Sequence, residues 1–196
     1  VFRTRMFGLS QNEEGLNKFI KALYEEAVGD AQIEKFAKDW LKLVENMRVT
    51  FNEKGGSISK NENWLLPQHH DMQRIVKADE KEWIGYISDR LDRSKMLDDE
   101  GKMLDDEQLE QALNYVYQTI TTGGMNKAKG FTIPRGLGRK LSRKGSEERF
   151  LYFKDAESWI SYNNKFGKGD VLTTLTDHIT ARANDIALVE TLGTNP

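Results

Sequence analysis

The sequence predicts an all-α fold: about six amphipathic helices in an irregular bundle, with long ordered loops and at most a trace of strand. Three observations lead there. Apolar residues recur at three- and four-residue spacing in separate stretches, the signature of one buried helical face. Aspartates stand before several of these stretches and glycines after them, where caps and stops belong. Across 196 residues the composition is 38% hydrophobic and 31% charged, polar for one compact domain yet too rich in Leu, Ile, Phe and Trp for a disordered chain.

In the first stretch, Leu16, Phe19, Ile20, Leu23, Tyr24 and Ala27 share one face, and Gly29 is the expected stop. Asp30 can cap a second helix striped by Ile33, Phe36, Trp40, Leu43, Val44, Met47 and Phe51 and ended by Gly55-Gly56, so residues 1–56 read as a helical hairpin. Residues 57–124 read as a loop plus central helices. Periodicity is lost from Gly55 to Asp71, Pro67 disfavours helix before it, and Trp64 and Leu66 are the expected anchors of this ordered loop. Asp79-Glu80-Lys81-Glu82 resembles a capping box ahead of Trp83, Ile84, Ile87 and Leu91. After an acidic turn, Asp105 and Gln108 form a second box, followed by Leu109, Leu113, Val116, Tyr117 and Ile120 and stopped at Gly123-Gly124.

Residues 125–149 read as a mobile basic loop, too polar and too interrupted by glycine to build a core. Residues 150–196 read as a C-terminal helical pair. Phe150 to Phe153 is an apolar lead-in, or a short strand, before a helix capped by Asp155 that buries Trp159, Tyr162 and Phe166. The last helix starts at Asp170 and carries Leu172, Leu175, Ile179, Ala183, Ile186 and Val189 until Gly193. All four tryptophans are therefore expected to be mostly buried.

Charge and composition exclude several function classes. With 29 Lys+Arg against 31 Asp+Glu the formal charge is −2, so a polyanion would have to bind a local patch. There is no cysteine, hence no disulfide, thiol nucleophile or thiolate zinc site. No apolar run approaches the ~20 residues of a membrane-spanning helix, and Val1-Phe2-Arg3-Thr4-Arg5 does not open a signal peptide. A start at Val1 and a stop at Pro196 suggest a piece of a longer chain.

Chemistry-bearing motifs are incomplete. Met96 to Glu107 places Asp98, Glu100, Gly101 and Glu107 at calcium-loop positions, but Met96 stands where the first carboxylate is needed, so a solvated turn is the better reading. His69, His70, Asp71 and His178 lack the spacing of a metal helix. His70-Asp71 is expected to form a capping or turn hydrogen bond, and His178 to pack at the edge of the last stripe. Gly136-Leu137-Gly138 meets neither the dinucleotide nor the P-loop pattern, and no Gly-x-Ser-x-Gly elbow occurs. No catalytic residue, metal or cofactor is assigned. The strongest feature is the segment Lys127 to Arg149, with eight basic and two acidic residues, a balance of +6. Lys127, Lys129, Arg135, Arg139, Lys140, Arg143 and Lys144 are the candidate contacts for phosphate or an acidic partner. Asp92 to Glu110, at −5, is a complementary surface within the molecule or on a neighbouring copy.

A set of unusual phrases adds a resemblance. They run from Phe51-Asn52, Gly55-Gly56 and Trp64-Leu65-Leu66-Pro67-Gln68 with His70-Asp71, through Leu91-Asp92-Arg93, Met96-Leu97-Asp98 and Thr119-Ile120-Thr121-Thr122-Gly123-Gly124, to Arg149-Phe150-Leu151-Tyr152-Phe153-Lys154-Asp155-Ala156. Ser158-Trp159, Tyr162-Asn163, Phe166-Gly167, Gly169-Asp170, Asp185-Ile186-Ala187 and Leu192-Gly193-Thr194-Asn195-Pro196 complete the pattern. Over roughly Leu16 to Pro196 the chain resembles internal virion, or ejection, proteins and the large polyvalent proteins of tailed bacteriophages and prophages. Thr194 stands where that pattern has Pro, and His69 is an additional histidine. The resemblance implies a non-catalytic helical module located in the virion or the host cytoplasm. Its partners would be other virion proteins or copies of itself, with DNA reached through the basic loop. The alternative is a module of a phage enzyme acting on nucleic acid or cell wall.

Overall fold

The computed structural model describes residues 13–61, 63–98, 100–125 and 151–193. They form six α-helices and no strand, a mostly helical fold. The helices are α1 (Glu13–Leu23), α2 (Ala31–Glu53), α3 (Met72–Ser88), α4 (Asp106–Thr121), α5 (Ala156–Phe166) and α6 (Val171–Leu192), with a 3₁₀ turn at Arg93–Lys95. The seven candidate contact residues from Lys127 to Lys144, and the basic loop that holds them, lie outside the described residues.

Packing divides the chain into two units, one made of Val1–Pro67 with Gly169–Pro196 and the other of Gln68–Lys168. In the first unit α1 and α2 pack together, with the Phe19 and Phe36 rings 5.0 Å apart, and α6 packs on α2. α2 begins where Asp30 accepts the amides of Gln32 and Ile33 at 3.0 and 3.2 Å. α1 ends earlier than the spacing predicts. Glu25 adopts φ 59°, and Glu26 N–H reaches back to Lys21 O at 3.0 Å while Glu25 N–H reaches Ala22 O at 3.2 Å. This is the Schellman closure that glycine usually provides, here made by a residue with no sequence signal for it. Ala27 is consequently outside the helix and exposed. α2 and α4 close in the same way with glycine, as Gly56 N–H bonds Phe51 O at 3.0 Å and Gly124 N–H bonds Thr119 O at 2.8 Å.

Loop 57–67 lies against α2. Ile58 exchanges hydrogen bonds with the Asn52 side chain, and Arg48 donates to Ile58 O at 2.8 Å. Leu66 is buried as expected, but Trp64 is only half-buried, because it stacks on His178 rather than entering the core. Trp40, Trp83 and Trp159 are buried. The stripe of α6 also differs from expectation. Thr174 and Leu175 are its buried residues, Ala183 is exposed, and His178 and Arg182 share the half-buried line with Ile179, Ile186 and Val189.

In the second unit α3 packs on α4 and on α5. α3 starts seven residues before Asp79: Asp71 caps it by accepting from Arg74 N–H at 3.1 Å. Its first turns carry a single buried apolar residue, Ile75, with Met72 and Val76 exposed, so no stripe betrays them. At Asp79 the helix breaks, with φ 63° and ψ 172°, and the Asp79 carboxylate accepts from Glu82 N–H at 2.9 Å to start the second segment. The predicted cap is thus an internal restart. α4 has the complete box, Gln108 N–H to Asp105 at 2.8 Å and Asp105 N–H to Gln108 at 3.0 Å. Leu151, Tyr152 and Phe153 are a buried lead-in, held as Asp92 N–H bonds Tyr152 O at 2.7 Å and Lys154 N–H bonds Arg90 O at 2.9 Å. The two ends of this unit are tied to each other. Asp71 N–H bonds Phe166 O and Lys168 N–H bonds His69 O, both at 2.8 Å, around the isolated antiparallel bridge of His70 with Gly167.

Candidate functional site

The candidate residues within the described chain fall into three places. The acidic turn is the first. Leu97 pairs with Met103, Gly101 takes φ 83°, and the Asp98 carboxylate accepts the amides of Glu100 at 2.9 Å and Lys102 at 2.8 Å. An aspartate bound to its own turn in this way explains the Asp-x-x-Gly pattern without a ligand. Asp105 caps α4, and Asp106 meets Arg93 at 2.9 Å. Among the described residues no three His, Asp or Glu side chains gather so as to hold a metal ion. Among the described residues no helix is long and apolar enough to cross a membrane.

His70 is the second place, and the structure gives it partners that lie far away in sequence. Trp83 Nε1–H, which can only donate, reaches the Tyr162 hydroxyl at 3.2 Å, and that hydroxyl lies 2.9 Å from His70 Nδ1. The phenol oxygen accepts from tryptophan, and a Tyr162 hydroxyl that donates to Nδ1 of a neutral His70 is the assignment that satisfies all three polar tips. Burial pushes the His70 imidazolium down to about 4, with the neighbouring His69 adding to the effect. Burial likewise raises the Tyr162 phenol well above its ordinary value, against the Trp83 hydrogen bond. The imidazole and phenol rings meet edge to face at 5.8 Å, and Phe153 and Phe166 flank Tyr162 at 5.1 and 5.6 Å. This row is a satisfied polar thread in an apolar core. Asp71 beside it caps α3, the capping role expected of the pair.

The third place is His178, in the other unit. Its ring lies 5.1 Å from Trp64 and 6.3 Å from Trp40, whose Nε1–H donates to Leu65 O at 3.1 Å. His178 thus packs at the start of the α6 stripe and fastens the Trp64 loop to α2. Sequence reasoning missed both associations. The only signal for the first was that Trp83 and Tyr162, on apolar stripes, each carry a polar tip that a buried position obliges them to satisfy. Asp30, Asp71, Asp79, Asp105, Asp155 and Asp170 all accept helix-start amides. Compared with protein-family models, curated proteins and solved structures, the chain matches none.

Proposed function

We infer that the chain is a non-catalytic helical module of a large virion-associated protein, of the internal or ejection type, encoded by a tailed bacteriophage or prophage, and that it works by protein–protein assembly. The observation that carries this reading is the series of unusual phrases from Leu16 to Pro196. The placement of the polar side chains supports it. Aspartates are engaged as helix caps, and His70 and His178 are held in packing, so the chemistry-bearing residues serve the fold. Mass spectrometry of purified particles tests the reading. Peptides of this chain should co-purify with capsids at a fixed copy number, and their absence from particles would sink it.

Contact with DNA is a second reading, favoured by the +6 balance of Lys127 to Arg149. The logarithm of duplex affinity should then fall linearly with the logarithm of salt. Arg139→Ala with Lys140→Ala should reduce the slope by up to about two phosphate contacts, at about 0.9 each. No binding at low salt leaves assembly as the only role of that segment.

A further inference from the structure

The turn that precedes α4 is apolar on its outer side. Leu97 pairs with Met103 in an antiparallel bridge, and Leu104 N–H bonds Met96 O at 2.8 Å. Side chains alternate along such a pairing, so Met96 and Leu104 point inward, 0% and 1% exposed, while Leu97 and Met103 share the outward side at 41% and 52%. The solvent side of an antiparallel pairing ordinarily carries polar residues. Nothing among the described residues covers these two.

Charge around the pair indicates what does. Of the three basic residues from Asp92 to Glu110, Lys95 pairs with Asp92 at 3.1 Å and Arg93 with Asp106 at 2.9 Å, which leaves Lys102. Glu100, Asp105, Glu107 and Glu110 are all exposed, three of them at the start of α4 directly after Met103 and Leu104. An apolar spot with an acidic rim fits a basic segment that carries spaced apolar side chains.

The chain supplies such a segment, and its point of attachment selects it. Tyr152, at the head of the lead-in to α5, accepts from Asp92 N–H at 2.7 Å, and Asp92 precedes Leu97 by only five residues. Upstream of Tyr152, residues 137–144 hold Leu137 and Leu141 with Arg139, Lys140, Arg143 and Lys144 and no acidic residue. The 11 residues from Leu141 to Tyr152 reach up to ~36 Å, whereas the five from Asp92 to Leu97 span at most ~17 Å. A short tether of this kind gives an effective concentration in the ~mM range, which a separate molecule at micromolar concentration does not match.

We propose that the outward side of the Leu97–Met103 turn docks residues 137–144 of the same chain, Leu137 and Leu141 on the apolar pair and the four basic side chains on its acidic rim. The proposal does not rest on the virion reading, and its failure would leave that reading, tested on particles, untouched. It does bear on DNA contact, since the docked basic residues would have to leave the turn to meet phosphate.

Nuclear magnetic resonance of the full chain, carrying carbon-13 in its methionine methyl groups, tests it. The chain has no native cysteine, so Ser142→Cys takes a single nitroxide label. The label should broaden the Met103 methyl signal at least about threefold more than that of Met72, an exposed methionine of the same unit. Arg139→Glu with Lys140→Glu should remove most of the difference, as should 1 M salt, where the screening length is about 3 Å. Leu97→Gln, at an exposed position, should weaken it while keeping the helical circular dichroism. Mixing nitroxide-labelled chains without carbon-13 with unlabelled carbon-13 chains should broaden nothing. Equal broadening of Met72 and Met103, indifference to the glutamate pair or to Leu97→Gln, or broadening in the mixed sample, which would make a second copy the occupant, would each overturn the proposal.

Discussion

His70 shows how one half-buried side chain makes stability depend on pH. Its imidazolium is held down at about 4 in the fold against an ordinary 6.5. The folded state therefore favours the neutral ring. Its contribution is complete above pH 6.5 and is lost as pH falls from there towards 4, below which the loss saturates. At 1.36 kcal/mol per unit the loss is on the order of 3 kcal/mol at most, less to the extent that water reaches the ring. His70 imidazole resonances should titrate near 4, and His70→Gln should flatten the acid limb of the unfolding free energy relative to wild type. A titration near 6.5 would remove the buried thread. Trp40, fully buried with its Nε1–H on Leu65 O, is the largest packing unit of its region, and Trp40→Ala should cost about 3–5 kcal/mol in urea unfolding. Glu25 sits at φ 59°, where a side chain costs roughly 1–2 kcal/mol, so Glu25→Gly should raise stability, by up to about 1 kcal/mol after the entropy gained by the unfolded chain.

At the scale of elements, caps and closures decide where helices begin and end. Asp79 combines a cap with a strained backbone, its φ of 63° and ψ of 172° lying in a region nearly reserved for glycine. Asp79→Ala keeps the strain and loses the cap, so it should destabilise by about 1–2 kcal/mol. Asp79→Gly relieves the strain while losing the same cap, and should unfold closer to wild type than the alanine variant. The reverse order would mean the break is not strained. The tie between the ends of the second unit depends on Gly167, where a Cβ would run into both the side chain and the backbone oxygen of Asn163. Because the backbone atom cannot rotate away, Gly167→Ala should cost about 1–3 kcal/mol in thermal or urea unfolding.

At the scale of the molecule, the Asp71–Phe166 and His69–Lys168 bonds bring the two ends of Gln68–Lys168 together, so this unit leaves and returns to the chain at one place. It has its own buried residues on α3, α4 and α5. Expressed alone, residues 68–168 should be helical and unfold cooperatively, whereas 1–67 should lose helicity without α6, which packs on α2. A fragment of 68–168 with no cooperative transition would show that the unit depends on the rest of the chain.

What the sequence determined by itself was local. Asp30, Asp105 with Gln108, Asp155 and Asp170 mark helix starts, and Gly55-Gly56 and Gly123-Gly124 mark stops, because capping acts within about four residues and reads directly from spacing. Where a local rule was satisfied by an unusual residue, as at Glu25, or where a helix buried a single side chain, as before Asp79, the sequence carried no signal. Tertiary structure alone decided the rest. Tyr162 reaches His70 and Trp83, Trp64 stacks on His178, and α6 returns to α2 across more than a hundred residues. Such pairings are chosen by the burial of apolar faces that any of several helices could cover, and by the need to satisfy the few polar tips enclosed with them. Neither demand names its partner until the chain has folded.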